Sequence, residues 1–134
     1  MGPTRLVKYL LDTHAVLWLA ESSPRLSVRA RALTQAHEAD AFGVAAITLL
    51  EIARLAHHGE ITLAPDPVDW LDDLAHRFTV LPVTPAIAWR TVSLDWAHKD
   101  PADRLICATA LEHKLTLLSN DREIIRWGGV PVLW

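Results

Sequence analysis

Residues 7–19 have the sequence VKYLLDTHAVLWL, in which one acidic residue separates two apolar runs. The first run, from Val7 to Leu11, is typical of a short, mostly buried strand. Asp12 and Thr13 then supply side chains that end the strand and cap a helix, which we expect to continue through Leu19. A carboxylate just beyond a buried strand lies where open α/β sheets bind their ligands. This stretch therefore predicts the first strand and helix of an α/β domain, with Asp12 as a candidate site residue.

The same alternation of strand and helix continues along the chain. Further strands are predicted at about residues 41–45, 79–83, 116–118 and 130–133, and further helices at about residues 28–38, 48–58, 67–75, 85–94, 101–113 and 121–127. Helices between successive strands indicate a parallel sheet covered on both faces. The length of 134 residues fits a single domain covering residues 1–134. We therefore predict a three-layer α/β/α domain with a central parallel sheet.

Composition limits the classes of function. A hydrophobic fraction of 51% is ample for a core, and the net charge is -3. A nucleic-acid binder that works by general charge neutralisation is normally basic, so a polyanionic substrate would need local Arg and Lys side chains or bound cations. No apolar run approaches the roughly 18 residues that span a bilayer, and the first residues contain no apolar segment of signal-peptide length. The single cysteine, Cys107, stands in an apolar stretch and is expected to be buried. We expect a cytoplasmic protein with no membrane partner.

Three more acidic residues, Glu51, Asp103 and Asp121, stand like Asp12 beside predicted helix starts. Each has a purely structural explanation as a helix cap or a partner of the helix dipole, and Thr48 with Glu51 has the form of a capping box. Together they suggest more, because strand-to-helix junctions of a parallel sheet share one edge. Clustered carboxylates repel one another unless a cation neutralises them. Hard divalent cations prefer such oxygen ligands, so the pattern predicts a metal site suited to phosphoryl transfer.

The chain resembles the PIN-domain family, and within it the VapC-type toxins of bacterial toxin–antitoxin pairs. The stretches that carry this resemblance are residues 10–18 (LLDTHAVLW), 48–53 (TLLEIA), 98–106 (HKDPADRLI) and 117–121 (LLSND). The resemblance covers essentially the whole chain, in order. It implies a Mg²⁺- or Mn²⁺-dependent endoribonuclease that hydrolyses RNA phosphodiester bonds with a metal-activated water. It also implies a homodimer and a cognate antitoxin whose tail fills the active-site groove.

By this resemblance, the four acids match the family's catalytic positions. Asp12 and Asp103 are expected to be the most direct metal ligands, with Glu51 and Asp121 completing the site directly or through water. Thr13 and Ser119 match small hydroxyl positions beside the acids, although many relatives carry Thr where this chain has Ser119. Whether one or two ions act is left open.

Other residues allow two interpretations each. Arg104, directly after Asp103, either holds a substrate phosphate or forms a salt bridge that orients a carboxylate. Asp100 is expected to act chiefly as a helix cap, and His14 to be exposed or packed. The six tryptophans are expected to serve core and interface packing more than the stacking of RNA bases.

Rival functions make different demands on the sequence. A haloacid-dehalogenase-type phosphatase requires a second Asp two residues after Asp12, where His14 stands. A phosphoryl-accepting regulatory domain requires an Asp after the third strand, where Val83 and Thr84 stand. A non-catalytic RNA- or protein-binding module remains as the alternative to a nuclease.

Overall fold

The computed structural model describes residues 6–134. The predicted domain starts at residue 1, so the first five residues of that prediction, including the expectation that they form no leader segment, lie outside the described range. Five strands form one sheet: β1 (Tyr9–Leu11), β2 (Phe42–Ala45), β3 (Thr79–Leu81), β4 (Thr116–Leu118) and β5 (Val132–Leu133). Within residues 6–134 there are seven α-helices: α1 (Thr13–Ala20), α2 (Val28–Ala36), α3 (Ala46–His57), α4 (Pro67–Arg77), α5 (Pro85–Ser93), α6 (Pro101–Glu112) and α7 (Arg122–Trp127). The 3-10 turn at Ala39–Ala41 was not predicted from the sequence.

The sheet is parallel throughout, with the strand order β3-β2-β1-β4-β5. The chain winds outward from β1 to β2 and β3, and later returns to place β4 on the other side of β1. Leu11 is therefore paired with Val44 of β2 and Leu118 of β4. The direction of winding reverses between β1 and β4, which is where open α/β sheets form a ligand crevice.

Alternate residues of each strand face opposite sides of the sheet and enter two different hydrophobic clusters. Leu11 and Leu118 pack on one side with residues of α1, α2, α3 and α4. Leu10 and Leu117 pack on the other side with residues of α6 and α7, and Cys107 is fully buried there. Helices thus cover both faces, and the predicted three-layer α/β/α fold is confirmed.

Most of the helix starts follow the predicted capping residues. Side-chain oxygens accept hydrogen bonds from first-turn N–H groups at the predicted N-caps Asp12, Asp100 and Asp121, and also at Ser27 and Asp66. Gly59 follows α3 with φ of +77°, a conformation that glycine adopts without strain.

The predicted capping box at Thr48 and Glu51 is wrong. Helix α3 begins at Ala46, its N-cap is Ala45, and no side chain caps it. Strand β2 passes directly into the helix, so Thr48 lies in the first turn and Glu51 in the second. Thr48 is completely buried, and its hydroxyl lies 3.3 Å from that of Thr13.

None of the helices within residues 6–134 combines the length and the apolar character needed to cross a bilayer.

Candidate active site

A cleft of about 380 Å³ opens at the carboxyl edge of the sheet, beside the reversal between β1 and β4. Its walls come from the β1–α1 junction, the second turn of α3, the start of α6 and the loop after β4. All four predicted acids line it: Asp12, Glu51, Asp103 and Asp121. The structure therefore brings together carboxylates that are far apart in the sequence.

Asp12 is the most buried of the four acids, with 8% of its surface exposed. Its Oδ1 accepts a hydrogen bond of 2.8 Å from the N–H of Ala15 and so caps α1. Burial, with a smaller contribution from the nearby charge of Asp121, raises the pKa of Asp12 to about 6, although hydrogen bonds from Ser119 and Ala15 oppose this rise. A negative charge at this position is therefore disfavoured until a cation or proton offsets it.

The loop after β4 supplies Ser119 and Asp121. Ser119 is fully buried and hydrogen-bonds to Asp12, and its Oγ also accepts from the N–H of Asp121 at 3.0 Å. One carboxylate oxygen of Asp121, Oδ1, caps α7 by accepting from Glu123 and Ile124. Ser119 thus connects two of the acids, as its position beside them suggested, while Oδ2 of Asp121 is left for other partners.

Glu51 reaches the cleft from within α3, and not from a strand-to-helix junction as the sequence suggested. Thr13 Oγ1 donates to Glu51 Oε1 at 2.5 Å. Thr13 follows Asp12 directly, so this hydrogen bond ties the carboxylate of α3 to the start of α1.

Asp103 is the third residue of α6, and the element before that helix is α5 rather than a strand. The Oδ1 of Asp100 accepts from the N–H groups of Ala102 and Asp103, which confirms Asp100 as the helix cap. Burial raises the pKa of Asp103, and the charges of Asp100 and Asp121 add to that effect. The Nε2 of His98 lies 2.7 Å from Asp103 Oδ2, and this hydrogen bond partly offsets the rise in the pKa of Asp103.

Sequence reasoning missed two residues of the site. His98 precedes Asp103 by five positions, and only a fold-back of the α5–α6 loop brings the two side chains together. Arg25 stands on the exposed loop between α1 and α2 and lines the cleft. The only available signal for His98 was its place within the 98–106 stretch, and no local signal marks Arg25.

Arg104 has partners that neither interpretation anticipated. Its guanidinium donates to five backbone carbonyls of α5 and the following loop: Thr91, Val92, Leu94, Trp96 and His98. The donors of Arg104 are therefore engaged in holding the α5–α6 loop against α6. Within residues 6–134 Arg104 forms no salt bridge with a carboxylate, so that interpretation is wrong, while the phosphate contact stays a prediction.

The aromatic residues mostly pack, as expected. Trp18 and Trp134 meet edge to face at 5.6 Å, and Trp96 stacks on Trp127 at 4.5 Å. Trp89 is the exception, with 73% of its surface exposed. His14 is exposed and lines the cleft with its ring 5.7 Å from Trp18.

The donor set suits a hard divalent cation. Among residues 6–134, His98 is the one basic side chain within salt-bridge distance of any of the four acids. Two of these carboxyl groups have a pKa raised by burial, which is the expected sign of a site that lacks compensating positive charge. Carboxylate oxygens are the ligands that Mg²⁺ and Mn²⁺ prefer, so the residues fit such an ion.

Comparisons with known proteins agree with this geometry. Residues 9–130 match the PIN domain family. Over 117 residues the chain is 42% identical to Ribonuclease VapC22 of Mycobacterium tuberculosis, covering 86% of this chain and 88% of that protein. Its fold is similar to a toxin-antitoxin complex from Klebsiella pneumoniae (TM-score 0.69, 23% identity, 95% of this chain and 97% of that chain). It is also similar to a DNA-bound VapBC from Salmonella typhimurium (TM-score 0.70, 21% identity, 95% and 97%).

Proposed function

The chain belongs to the PIN domain family and is a VapC-like ribonuclease, and we propose that it is the toxin of a toxin–antitoxin pair that cleaves RNA with the help of Mg²⁺ or Mn²⁺. Membership of the family confirms the resemblance noted in the sequence. The observation that carries the catalytic proposal is the convergence of Asp12, Glu51, Asp103 and Asp121 on one cleft.

Each acid has a role that its contacts support. Asp12 and Asp103 hold the cation, since burial has left both carboxylates without enough positive charge around them. Asp121, with Oδ1 fixed at the start of α7, presents Oδ2 to the cleft, and Glu51 is oriented by the hydroxyl of Thr13. These two carboxylates position the attacking water. When bound, the cation makes water more acidic and offsets the charge of the phosphate and of the leaving oxygen.

The same charges give cation binding a pH dependence. Metal ligands bind in their deprotonated form, and the pKa of Asp12 is raised to about 6 by burial. Affinity for Mg²⁺ should therefore rise as the pH increases through about 6.

The proposal is tested with purified protein, Mg²⁺ or Mn²⁺, and a panel of transfer, ribosomal and messenger RNAs. Cleavage should appear with the cation and disappear with EDTA or in the Asp12→Asn variant. Asp66→Asn is a matched control because Asp66 caps α4 in the same way but is exposed and is not part of the cleft wall. That variant should cleave like the wild type.

Two results would count against the catalytic proposal. Cleavage that survives both EDTA and Asp12→Asn would show that the acid cluster is not the active site. RNA binding without cleavage of any RNA in the panel would favour a non-catalytic binding module.

We also propose a homodimer, with α5 in the subunit contact. Trp89 and Val92 lie one turn apart on this helix and are 73% and 70% exposed, which is a large apolar area to leave in water. Trp89→Glu should convert a dimer into a monomer in light scattering, whereas Val68→Glu, at another exposed apolar position on α4, should not. An unchanged mass for the Trp89 variant would exclude this contact.

The antitoxin is proposed to cover the acidic cleft, and an RNA substrate is consistent with a cytoplasmic location. An antitoxin segment that places a basic side chain among these carboxylates would neutralise them in place of the cation. Added antitoxin should then lower the affinity for Mn²⁺, and an unchanged affinity would show that it binds elsewhere.

A further inference from the structure

We propose that His98 is a positioning residue for Asp103, and that a stack of two tryptophans fixes its imidazole for that purpose. This inference rests on the proposed function, because it concerns how one of the proposed metal ligands is held.

The contact that carries the inference joins the imidazole to one oxygen of the carboxylate. His98 Nε2 lies 2.7 Å from Asp103 Oδ2, and the two side chains are only 24% and 22% exposed. With Nε2 as donor, the hydrogen bond engages Oδ2 and leaves Oδ1 for a cation. Carboxylates that bind metals are commonly held by such a second partner, which fixes their orientation.

Two stacked tryptophans pack against the imidazole of His98. Its ring packs on Trp96 at 4.7 Å, and Trp96 stacks on Trp127 at 4.5 Å with an angle of 11° between the planes. The Nε1 of Trp127 donates to the carbonyl of Asp95 at 2.9 Å. The aromatic stack is therefore bonded to the same loop that carries His98.

Arg104 attaches this loop to the helix that carries Asp103. Its guanidinium donates to the carbonyls of Trp96 at 2.7 Å and His98 at 3.0 Å. Since Arg104 follows Asp103 in α6, the loop and the carboxylate are fixed to the same turn of helix. His98, the donor, and Asp103, the acceptor, are thus both fixed to the start of α6.

Asp103 needs this support because its neighbours repel it. The charges of Asp100 and Asp121 both act on it, and Asp103 lies in the first turn of α6 close to both. A carboxylate without a fixed partner would turn away from its acidic neighbours when the cation is absent. The hydrogen bond from His98 keeps it in place before the cation arrives.

A different role for His98 makes a different prediction. Ligand atoms of His98, Asp100 and Asp103 lie within 4.8 Å of one another, so the imidazole can be imagined as a metal ligand itself. Two facts favour the positioning role: Nε2 is at hydrogen-bond distance from Oδ2, and Oδ1 of Asp100 is already engaged by two N–H groups of α6.

The test measures Mn²⁺ and Mg²⁺ affinity by calorimetry, together with the metal dependence of RNA cleavage. His98→Ala should weaken binding of both ions by on the order of 10- to 100-fold. His98→Gln keeps an N–H donor at the position of Nε2 and should restore affinity to within a few-fold of the wild type. His76→Ala is the control, because His76 pairs with an aspartate on the exposed surface of α4. Its affinities should be unchanged.

Three outcomes would overturn the inference. If His98→Ala binds Mn²⁺ like the wild type while Asp12→Asn does not, His98 has no positioning role and the proposed function stands. If both His98 variants lose Mn²⁺ far more than Mg²⁺, the imidazole is a ligand, since nitrogen ligands favour Mn²⁺ over Mg²⁺. If the wild type binds neither ion, the proposed function fails as well. Should His98→Ala not fold, His98→Asn replaces it, because its shorter amide cannot reach Asp103.

Discussion

Replacement of Asp12 by asparagine should make the metal-free protein more stable at alkaline pH while it abolishes cleavage. Asparagine has nearly the same shape, and its side-chain oxygen can still accept from Ala15 as an N-cap. The change therefore removes the negative charge and little else. Because Asp12 is only 8% exposed, that charge is costly in the folded state.

The size of the effect follows from the pKa. Burial raises the pKa of Asp12 from 3.8 to about 6, so the folded protein retains a proton that the unfolded chain releases. At about 1.36 kcal/mol for each pKa unit, the shift corresponds to roughly 3 kcal/mol. The contribution of the protonated Asp12 to the free energy of unfolding is present in full below about pH 4, declines between about pH 4 and 6, and is lost above that range. Asp12→Asn does not titrate, so its gain should approach 3 kcal/mol at about pH 8 and vanish near pH 4.

Urea unfolding followed by tryptophan fluorescence measures this gain, with EDTA present and at one protein concentration. Asp66→Asn again serves as the control, since the exposed Asp66 caps α4 through Oδ2, which accepts from Asp69. It should show no gain in stability at about pH 8, because Asp66 is exposed and its charge is not buried. Mg²⁺ should raise the free energy of unfolding of the wild type at about pH 8, but not that of Asp12→Asn.

The reasoning would be refuted by either of two results. In the first, Asp12→Asn would be no more stable than the wild type at about pH 8. In the second, its gain in the free energy of unfolding would be as large at about pH 4 as at about pH 8. The first result would mean that the buried charge of Asp12 is already compensated within the protein, and the second that the gain does not come from that charge.

Substitutions at two positions and one labelling experiment test other parts of the molecule. Thr13→Val removes the hydroxyl that donates to Glu51, so RNA cleavage should fall on the order of 10-fold, while Thr13→Ser should keep the wild-type rate; equal rates for both variants would exclude that role. Arg104→Ala leaves five carbonyls without their donor and should lower the free energy of unfolding by about 3 kcal/mol in urea. Unchanged stability with weaker RNA binding would instead favour a phosphate contact for Arg104. Burial raises the pKa of Cys107 to about 12, so iodoacetamide should modify this thiol only after unfolding, and rapid labelling of the native protein would contradict its burial.

The features that the sequence predicted well are those with local causes. Asp100 and Asp121 end loops with a side chain that bonds the next N–H groups, and Pro101 directly after Asp100 marks the same helix start. The strand at residues 116–118 is a short apolar run between polar residues, and its limits agree with those of β4. Local chemistry is visible in the order of residues, so the parallel sheet and most helix starts could be derived from it.

The features that the sequence predicted poorly depend on the tertiary fold. Helix α3 has no capping side chain to mark its start, so the Thr48–Glu51 pair gave a false signal two residues late. The contact between His98 and Asp103 exists because Arg104 fastens the α5–α6 loop to carbonyls up to 13 positions away. Arg25 enters the wall of the cleft only because the loop after α1 passes beside it. Spacing along the chain carries no information about such contacts.

The buried charge of Asp12 lowers the free energy of unfolding, and cation binding raises it. At a free cation concentration 100 times its dissociation constant, binding stabilises the folded state by about 2.7 kcal/mol. That is close to the roughly 3 kcal/mol that the charge of Asp12 costs at neutral pH. At that concentration, cation binding would offset the cost of the buried charge, whereas an amide at Asp12 removes the cost without the cation but gives up the site. Because the same side chain sets both quantities, any variant of Asp12 that binds the cation normally should also keep the low stability of the metal-free protein above pH 6.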